Sequence, residues 1–273
     1  MFDLHKISLD DNIGIDQQYV DYSKSLKAFS PNIGLIYNLN RNDEVYINYG
    51  ESYETPSLSE LSANPNGAGF NEDLSPMNSG GFDIGFRRKS QNLSYSIAAF
   101  YIDTKDEIVR YELEGFEGMN FYRNLGTSKR VGAEFEASYN LGKSGLLNAS
   151  YTHAKYEFEN QGVSGELAGI PKSNFTLEWL YGYKDFYLKM DLKYVNSLYA
   201  DNNNEVKVPS YLLSNIALKN EFNFRGFFLE AGLQIRNLLD EKYFDNIRTN
   251  AFGSRFYEPA SLRSFIVSIK TAF

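Results

Sequence analysis

Only two histidines, His5 and His153, and no cysteine are available for nucleophilic or metal chemistry in this 273-residue chain. That excludes a disulfide scaffold, a thiol nucleophile and a Cys-ligated metal. It also leaves little for a zinc site or a histidine-based triad. Gly142-Lys143-Ser144 has the tail of a phosphate loop, but Ala137 stands where the first glycine is needed, so the segment reads as a tight turn. No Gly-x-Ser-x-Gly element accompanies His153; this histidine reads as a membrane-girdle or lumen residue. The acidic runs Asp103–Glu107 and Glu112–Glu117 read as solvated faces rather than cation sites. No catalytic residue, metal site or cofactor is therefore expected. The net charge of −8 offers no footprint for nucleic acid.

The elements that carry these residues are strands. Phe227, Leu229, Ala231, Leu233 and Ile235 alternate with Phe228, Glu230, Gly232, Gln234 and Arg236. The same period of two runs through Arg130–Tyr139, Asn174–Tyr181, Phe186–Tyr194 and Ser264–Phe273. Helical periodicity of comparable length is absent, and no window approaches the roughly 18 apolar residues of a spanning helix. Short connections near Asn40–Glu44, Lys89–Asn92, Leu141–Gly145, Gly182–Asp185 and Asn223–Gly226 alternate with long polar ones. The long ones are Asp10–Lys27, Tyr53–Ser79, Gly115–Asn120, Asn160–Ile170, Asp201–Val208 and Leu239–Ala260. About twelve strands result.

Such strands suit either a soluble sandwich or a transmembrane barrel. In a sandwich the apolar face meets a second sheet; in a barrel it meets lipid, and the charged face lines a wet or plugged lumen. Aromatic residues make up 16 % of the chain although its mean hydropathy is only −0.42. They crowd at strand ends (Tyr37, Tyr49, Tyr139, Trp179, Tyr181, Tyr183, Tyr194, Tyr199), as interfacial girdles require. With the alternation of connection lengths, this favours the barrel. The expected fold is an all-β, transmembrane, antiparallel up-and-down β-barrel. Phe227, Leu229, Leu233, Ile235, Phe265, Val267 and Ile269 should face lipid, with Glu230, Gln234, Arg236 and Lys270 facing inward.

Seven segments, in order, resemble TonB-dependent outer-membrane receptors of the ferric-siderophore type. They are Val45–Leu61 with its Pro-x-Leu-x-Glu-Leu ending, Asn64–Ser79, Phe100–Val109, Asn124–Ala137, Tyr199–Asn204 with Pro209–Tyr211, Asn237–Tyr243, and Arg255–Phe265. Two departures stand out: Met77 where the family has Glu, and Ser261-Leu262 for the commoner Pro-Gly. The resemblance implies energised uptake of a ferric chelate through a plugged barrel of about 22 strands. Outer-membrane lipid and the energy-coupling TonB complex, reached through the plug, are the implied partners.

The chain is expected to be a single barrel segment, residues 1–273, with no plug and no signal peptide, needing an N-terminal barrel and plug segment from elsewhere. An open, curved sheet follows, without a ladder between residues 2–8 and 264–273. In the family, ligands meet the outer loops, here Tyr53, Phe70, Tyr111, Tyr122, Arg123, Arg248, Arg255 and Tyr257. Aromatic faces and guanidinium forks suit anionic, conjugated iron chelates. Arg130, Glu134, Glu136, Glu230 and Arg236 are expected to line the lumen and face the plug. Cobalamin or oligosaccharide uptake, a small passive pore, and a soluble carbohydrate-binding sandwich are the alternatives.

Overall fold

The computed structural model describes residues 2–10, 21–67, 69–160, 163–224 and 226–272. A first hairpin comprises β1 (Phe2–Asp10) and β2 (Asp21–Phe29). Next come β3 (Asn32–Asn38), β4 (Asp43–Glu54), a five-residue helix α1 (Leu58–Ser62), β5 (Met77–Lys89) and β6 (Leu93–Lys105). The short strands β7 (Ile108–Tyr111) and β8 (Phe121–Asn124) precede β9 (Thr127–Asn140) and β10 (Leu146–Asn160). Then follow β11 (Val163–Glu166), β12 (Ser173–Tyr183), β13 (Phe186–Val195), and the small strands β14 (Leu198–Tyr199) and β15 (Lys207–Val208). The chain continues through β16 (Tyr211–Phe224), β17 (Phe227–Arg236), β18 (Phe244–Ile247), β19 (Tyr257–Pro259) and β20 (Ser264–Ala272).

Eleven strands form one antiparallel path, in the order β20-β17-β16-β13-β12-β10-β9-β6-β5-β4-β3, and β11 extends it as a twelfth by pairing with β10. Strands adjacent in the sheet are successive long strands of the chain, which is the up-and-down topology expected. Among the described residues the path does not close. β20 pairs only with β17, β3 only with β4, and β1 only with β2. No ladder joins residues 2–8 to 264–272 among the described residues, as expected; Phe273 lies outside them. One boundary is corrected: the stretch read as a connection to Lys27 contains β2 from Asp21 onward, while residues 11–20 lie outside the described ones.

Register assigns the faces. Ile235 pairs with Phe265, Leu233 with Val267 and Ala231 with Ile269, while Glu230 pairs with Lys270 and Arg236 with Ser264. Phe265, Val267 and Ile269 are 64 %, 73 % and 71 % exposed, and Ile84, Ile97, Val131 and Phe135 farther along the sheet are exposed too, from 37 % to 52 %. Among the described residues no second sheet covers this face. Buried apolar residues form three small clusters, drawn almost entirely from the long connections. A sandwich would bury the alternating residues themselves, so the sandwich reading fails. An apolar face this extensive left bare marks a lipid contact.

The opposite face is concave and polar. It forms a cavity of about 1130 Å³ that spans seven strands, from Glu44 on β4 and Arg87 on β5 to Glu178 on β12 and Lys189 and Asp191 on β13. Cross-strand pairs fill the wall: Arg87 with Glu44 at 3.2 Å, Asn48 donating to Asp83 at 3.0 Å, and Asn215 donating to Asp191 at 2.6 Å. The Lys219 ammonium contacts Glu221 at 2.8 Å and Glu230 at 3.2 Å, and lies over the Tyr187 ring. Tyr46 also turns inward, because Gly85 opposite leaves its ring the space that a Cβ would take.

Aromatic rings collect at both rims of the outward face. Trp179 donates to the Ser144 carbonyl at 2.8 Å beside the turn Gly142–Ser144, which is short as expected. At the other rim Phe82 stacks on Tyr101. Such girdles match the interfacial preference of amphipathic rings.

Candidate functional site

The long connections among the described residues that follow β4, β6, β10, β13 and β17 emerge at one end of the sheet, and tertiary contacts knit them together. A capping box starts α1: the Ser57 N–H donates to Glu60 and the Glu60 N–H donates to the Ser57 hydroxyl. This fixes Leu61 to pack with Phe70 and Leu74 against Ile108 and Tyr122 of the β7–β8 hairpin. Asn124 locks the same two loops, exchanging hydrogen bonds with the Ser75 backbone at 2.8 and 2.9 Å. Leu125, Phe158 and Leu167 bury a second cluster with Val109 and Ile170. The Asn204 side chain accepts from the Glu166 N–H and donates to the Glu166 carbonyl, tying the β12-side loop to the β13–β16 connection. A third cluster, Ala200, Val208, Ala251 and Phe256, joins that connection to the one between β17 and β20.

The β7–β8 hairpin exists because two long strands break. Asp106 takes φ 57° after β6, and Gly126 takes φ 81° before β9. A left-handed residue cannot continue a ladder, so the chain leaves the sheet and forms its own hairpin. The runs Leu93–Leu113 and Phe121–Asn140 are thereby each split into a long sheet strand and a short hairpin strand.

The structure brings some of the expected ligand residues together and not others. Arg123 lies over the Tyr111 ring at 5.0 Å. Arg248 and Arg255 converge on the buried Glu112 carboxylate, at 4.0 and 3.2 Å. Tyr257 stacks on Phe244 with centroids 4.3 Å apart. By contrast Phe70 is buried in the first loop cluster and Tyr122 packs against it, so both hold the loops in shape. Tyr53 belongs to β4 rather than to a loop, its alternation placing it on the outward side with Tyr49. Glu112, Asn250 and Arg110 escape a sequence reading, because their partners lie about 140 residues away in the chain.

Electrostatics reinforce this end. The Glu117 carboxyl is held below its ordinary value by its own backbone N–H, then by that of Gly115, with Arg255 adding to the effect. The Lys172 ammonium is raised by its 2.6 Å pair with Glu166. Among the described residues no group of three or more His, Asp or Glu side chains is placed to hold a metal ion.

The lumen set occupies the concave side. Arg130 donates to Thr104 at 2.8 Å and pairs with Glu107 at 2.6 Å, which uses part of the acidic run read as solvated. Glu136 lines the cavity, and Glu134 shares its face by register. Glu230 meets Lys219, and Arg236 shares the alternation of Glu230. His153 sits on the opposite, outward face, paired in register with Ser173, and its Nδ1 lies 2.7 Å from the Ser173 hydroxyl. Its ring stacks near Tyr151. The lumen half of the girdle-or-lumen expectation is thus removed.

Sheet, faces and loops define a segment of membrane β-barrel wall. Residues 2–238 match the family model described as TonB dependent receptor-like, beta-barrel, so the chain belongs to the TonB-dependent receptors and supplies barrel strands of that family. It is 24 % identical over 266 residues to the catecholate siderophore receptor Fiu of Escherichia coli K12, covering 93 % of this chain and 34 % of Fiu. It is 24 % identical to the ferrioxamine B receptor of Salmonella typhimurium, covering 89 % of this chain and 34 % of that receptor. Among solved structures, the ferric citrate transporter FecA superposes with a TM-score of 0.77 at 17 % identity, over 99 % of this chain and 42 % of FecA. The chain spans about a third of the length of the curated relatives it matches.

Proposed function

We propose that the chain is barrel wall and outer-loop surface of a bacterial outer-membrane receptor that takes up a ferric chelate. The observation that carries this reading is the family match across residues 2–238, joined to relatives named as siderophore receptors. Further barrel strands complete the wall beyond β3 and β20, and a plug occupies the lumen against Arg130, Glu134, Glu136, Glu230 and Arg236. Energy arrives from the TonB complex through that plug. The work of the site is binding and passage rather than catalysis.

At the outer end, Tyr111 with Arg123, and Arg248 with Arg255, present aromatic faces and guanidinium groups to an anionic, conjugated chelate. Tyr257 supports this surface through Phe244. A second reading, cobalamin uptake, draws on a 23 % identity to the vitamin B12 transporter BtuB of Vibrio vulnificus over 82 % of this chain.

Titrating the purified receptor with iron-loaded catecholate, iron-loaded hydroxamate and cobalamin separates the two. Saturable binding of a ferric chelate is expected, weakened on the order of tenfold by Arg255→Ala through loss of a charge-assisted contact. Binding of cobalamin alone would move the assignment to the second reading.

A further inference from the structure

Asn250, in the connection between β17 and β20, uses every polar group it has. Its N–H donates to the Ala200 carbonyl at 2.9 Å and its carbonyl accepts from the Glu112 N–H at 3.3 Å. Its side-chain oxygen accepts from the Asn202 N–H at 2.9 Å, and its amide nitrogen donates to the Arg110 carbonyl at 3.1 Å. Three connections, those after β6, β13 and β17, therefore meet on one residue. It holds φ 55°, a left-handed conformation that asparagine tolerates better than most residues.

Glu112 makes the second half of the junction. Only 3 % of its side chain is exposed, yet it sits near the tip of a surface hairpin. Its carboxylate accepts from the Phe252 N–H at 3.2 Å and pairs with Arg255 at 3.2 Å, with Arg248 at 4.0 Å. Arg110 adds bonds from the same hairpin to Thr249 and to the Ile247 carbonyl. In the sheet, β9 and β17 are separated by β10, β12, β13 and β16. The contacts thus form a strap bridging four intervening strands at the loop end.

We propose that Glu112 and Asn250 are a latch that fastens the β7–β8 hairpin to the β18–β19 segment, and that its release lets the hairpin swing away from the loop end. Neither segment belongs to the main sheet: β7 pairs only with β8 and β18 only with β19. What holds the hairpin besides the latch is packing at its base, Ile108 and Tyr122 in one loop cluster and Val109 in another, so those contacts are the pivot about which it moves. A buried carboxylate is the right fastener for a reversible joint, because it holds strongly when paired and is costly to leave unpaired. Release also parts Arg255 from Glu112 and leaves Arg248 with its other partner, Glu258, at 3.7 Å. The latch itself is independent of which ligand the receptor takes.

The test is hydrogen exchange on the receptor in isolated outer membranes of the producing cells, comparing wild type, Glu112→Gln and Asn250→Gly. Glycine keeps the left-handed backbone and removes both side-chain bonds; glutamine keeps the shape of Glu112 and removes its charge. Each variant is expected to raise exchange in residues 108–124 and 244–257 on the order of tenfold, with β12 and β13 unchanged. Unaltered exchange in the two segments overturns the latch. So does an equal rise throughout the barrel, which marks general destabilisation. If Asn250→Gly fails to assemble, Glu112→Gln alone decides the matter by the same two outcomes.

Discussion

Replacing Ile97 with arginine is expected to destabilise the barrel wall by about 2–4 kcal/mol, the cost of a guanidinium held near the bilayer midplane. Ile97 is 49 % exposed on the outward face, in register with Phe86 and Phe135. Its in-register neighbours on that face are aromatic rings, and the nearest charged pair, Arg88 with Asp43 at 2.6 Å, is already satisfied toward the short-turn rim. The neighbouring substitution Ser96→Arg places the same side chain on the concave side, beside Glu136. There it meets water and a carboxylate, and the change should stay within roughly 0.5 kcal/mol. Denaturant unfolding from lipid vesicles reads both values. The reverse ranking would mean that the faces have been assigned backwards.

The second large effect concerns the two free edges. β3 has one hydrogen-bonded neighbour, β4, and β20 has one, β17. Every residue of β3 is exposed, including Ile33, Leu35, Ile36 and Tyr37. An unpaired backbone group in hydrocarbon costs several kcal/mol, and a strand edge carries a row of them. Residues 1–273 expressed alone are therefore expected to aggregate or remain protease-sensitive in vesicles. Co-expression with the remaining strands of the receptor should restore a protease-resistant barrel. A protease-resistant, conducting species formed by residues 1–273 alone would require β3 to meet β20, and would revive the small-pore alternative.

Both expectations rest on features visible in the sequence, since lipid demands them of every strand it touches. Phe227–Arg236 must alternate because one face is apolar and the other wet, and a slip of one residue would invert the whole set. The turn at Gly142–Ser144 is legible for a related reason: a short link between antiparallel strands needs the positive φ that Gly142 and Gly145 supply. β2 was not legible. Lys24 interrupts its apolar set of Tyr22, Leu26 and Ala28, which leaves too few apolar residues in phase to stand out from the polar stretch before it.

The site was legible only by residue type. Arginines and aromatics in the long connections could be picked out, but not which of them pack inward. Phe70 is a core residue of the loops and Arg255 a partner of Glu112, a pairing across 143 positions that no local pattern encodes. His153 could have been placed: Leu147, Ala149 and Tyr151 set the parity of the outward face, and position 153 continues it.

The central claim is that the alternating strands form a barrel wall with lipid on one side and an aqueous lumen on the other. Spin labels at positions 229, 267, 230 and 270 of the receptor in lipid vesicles test it most directly. Collision with dissolved oxygen should dominate at Leu229 and Val267, and collision with a water-soluble paramagnetic reagent should dominate at Glu230 and Lys270. Water accessibility at 229 and 267 would contradict the account.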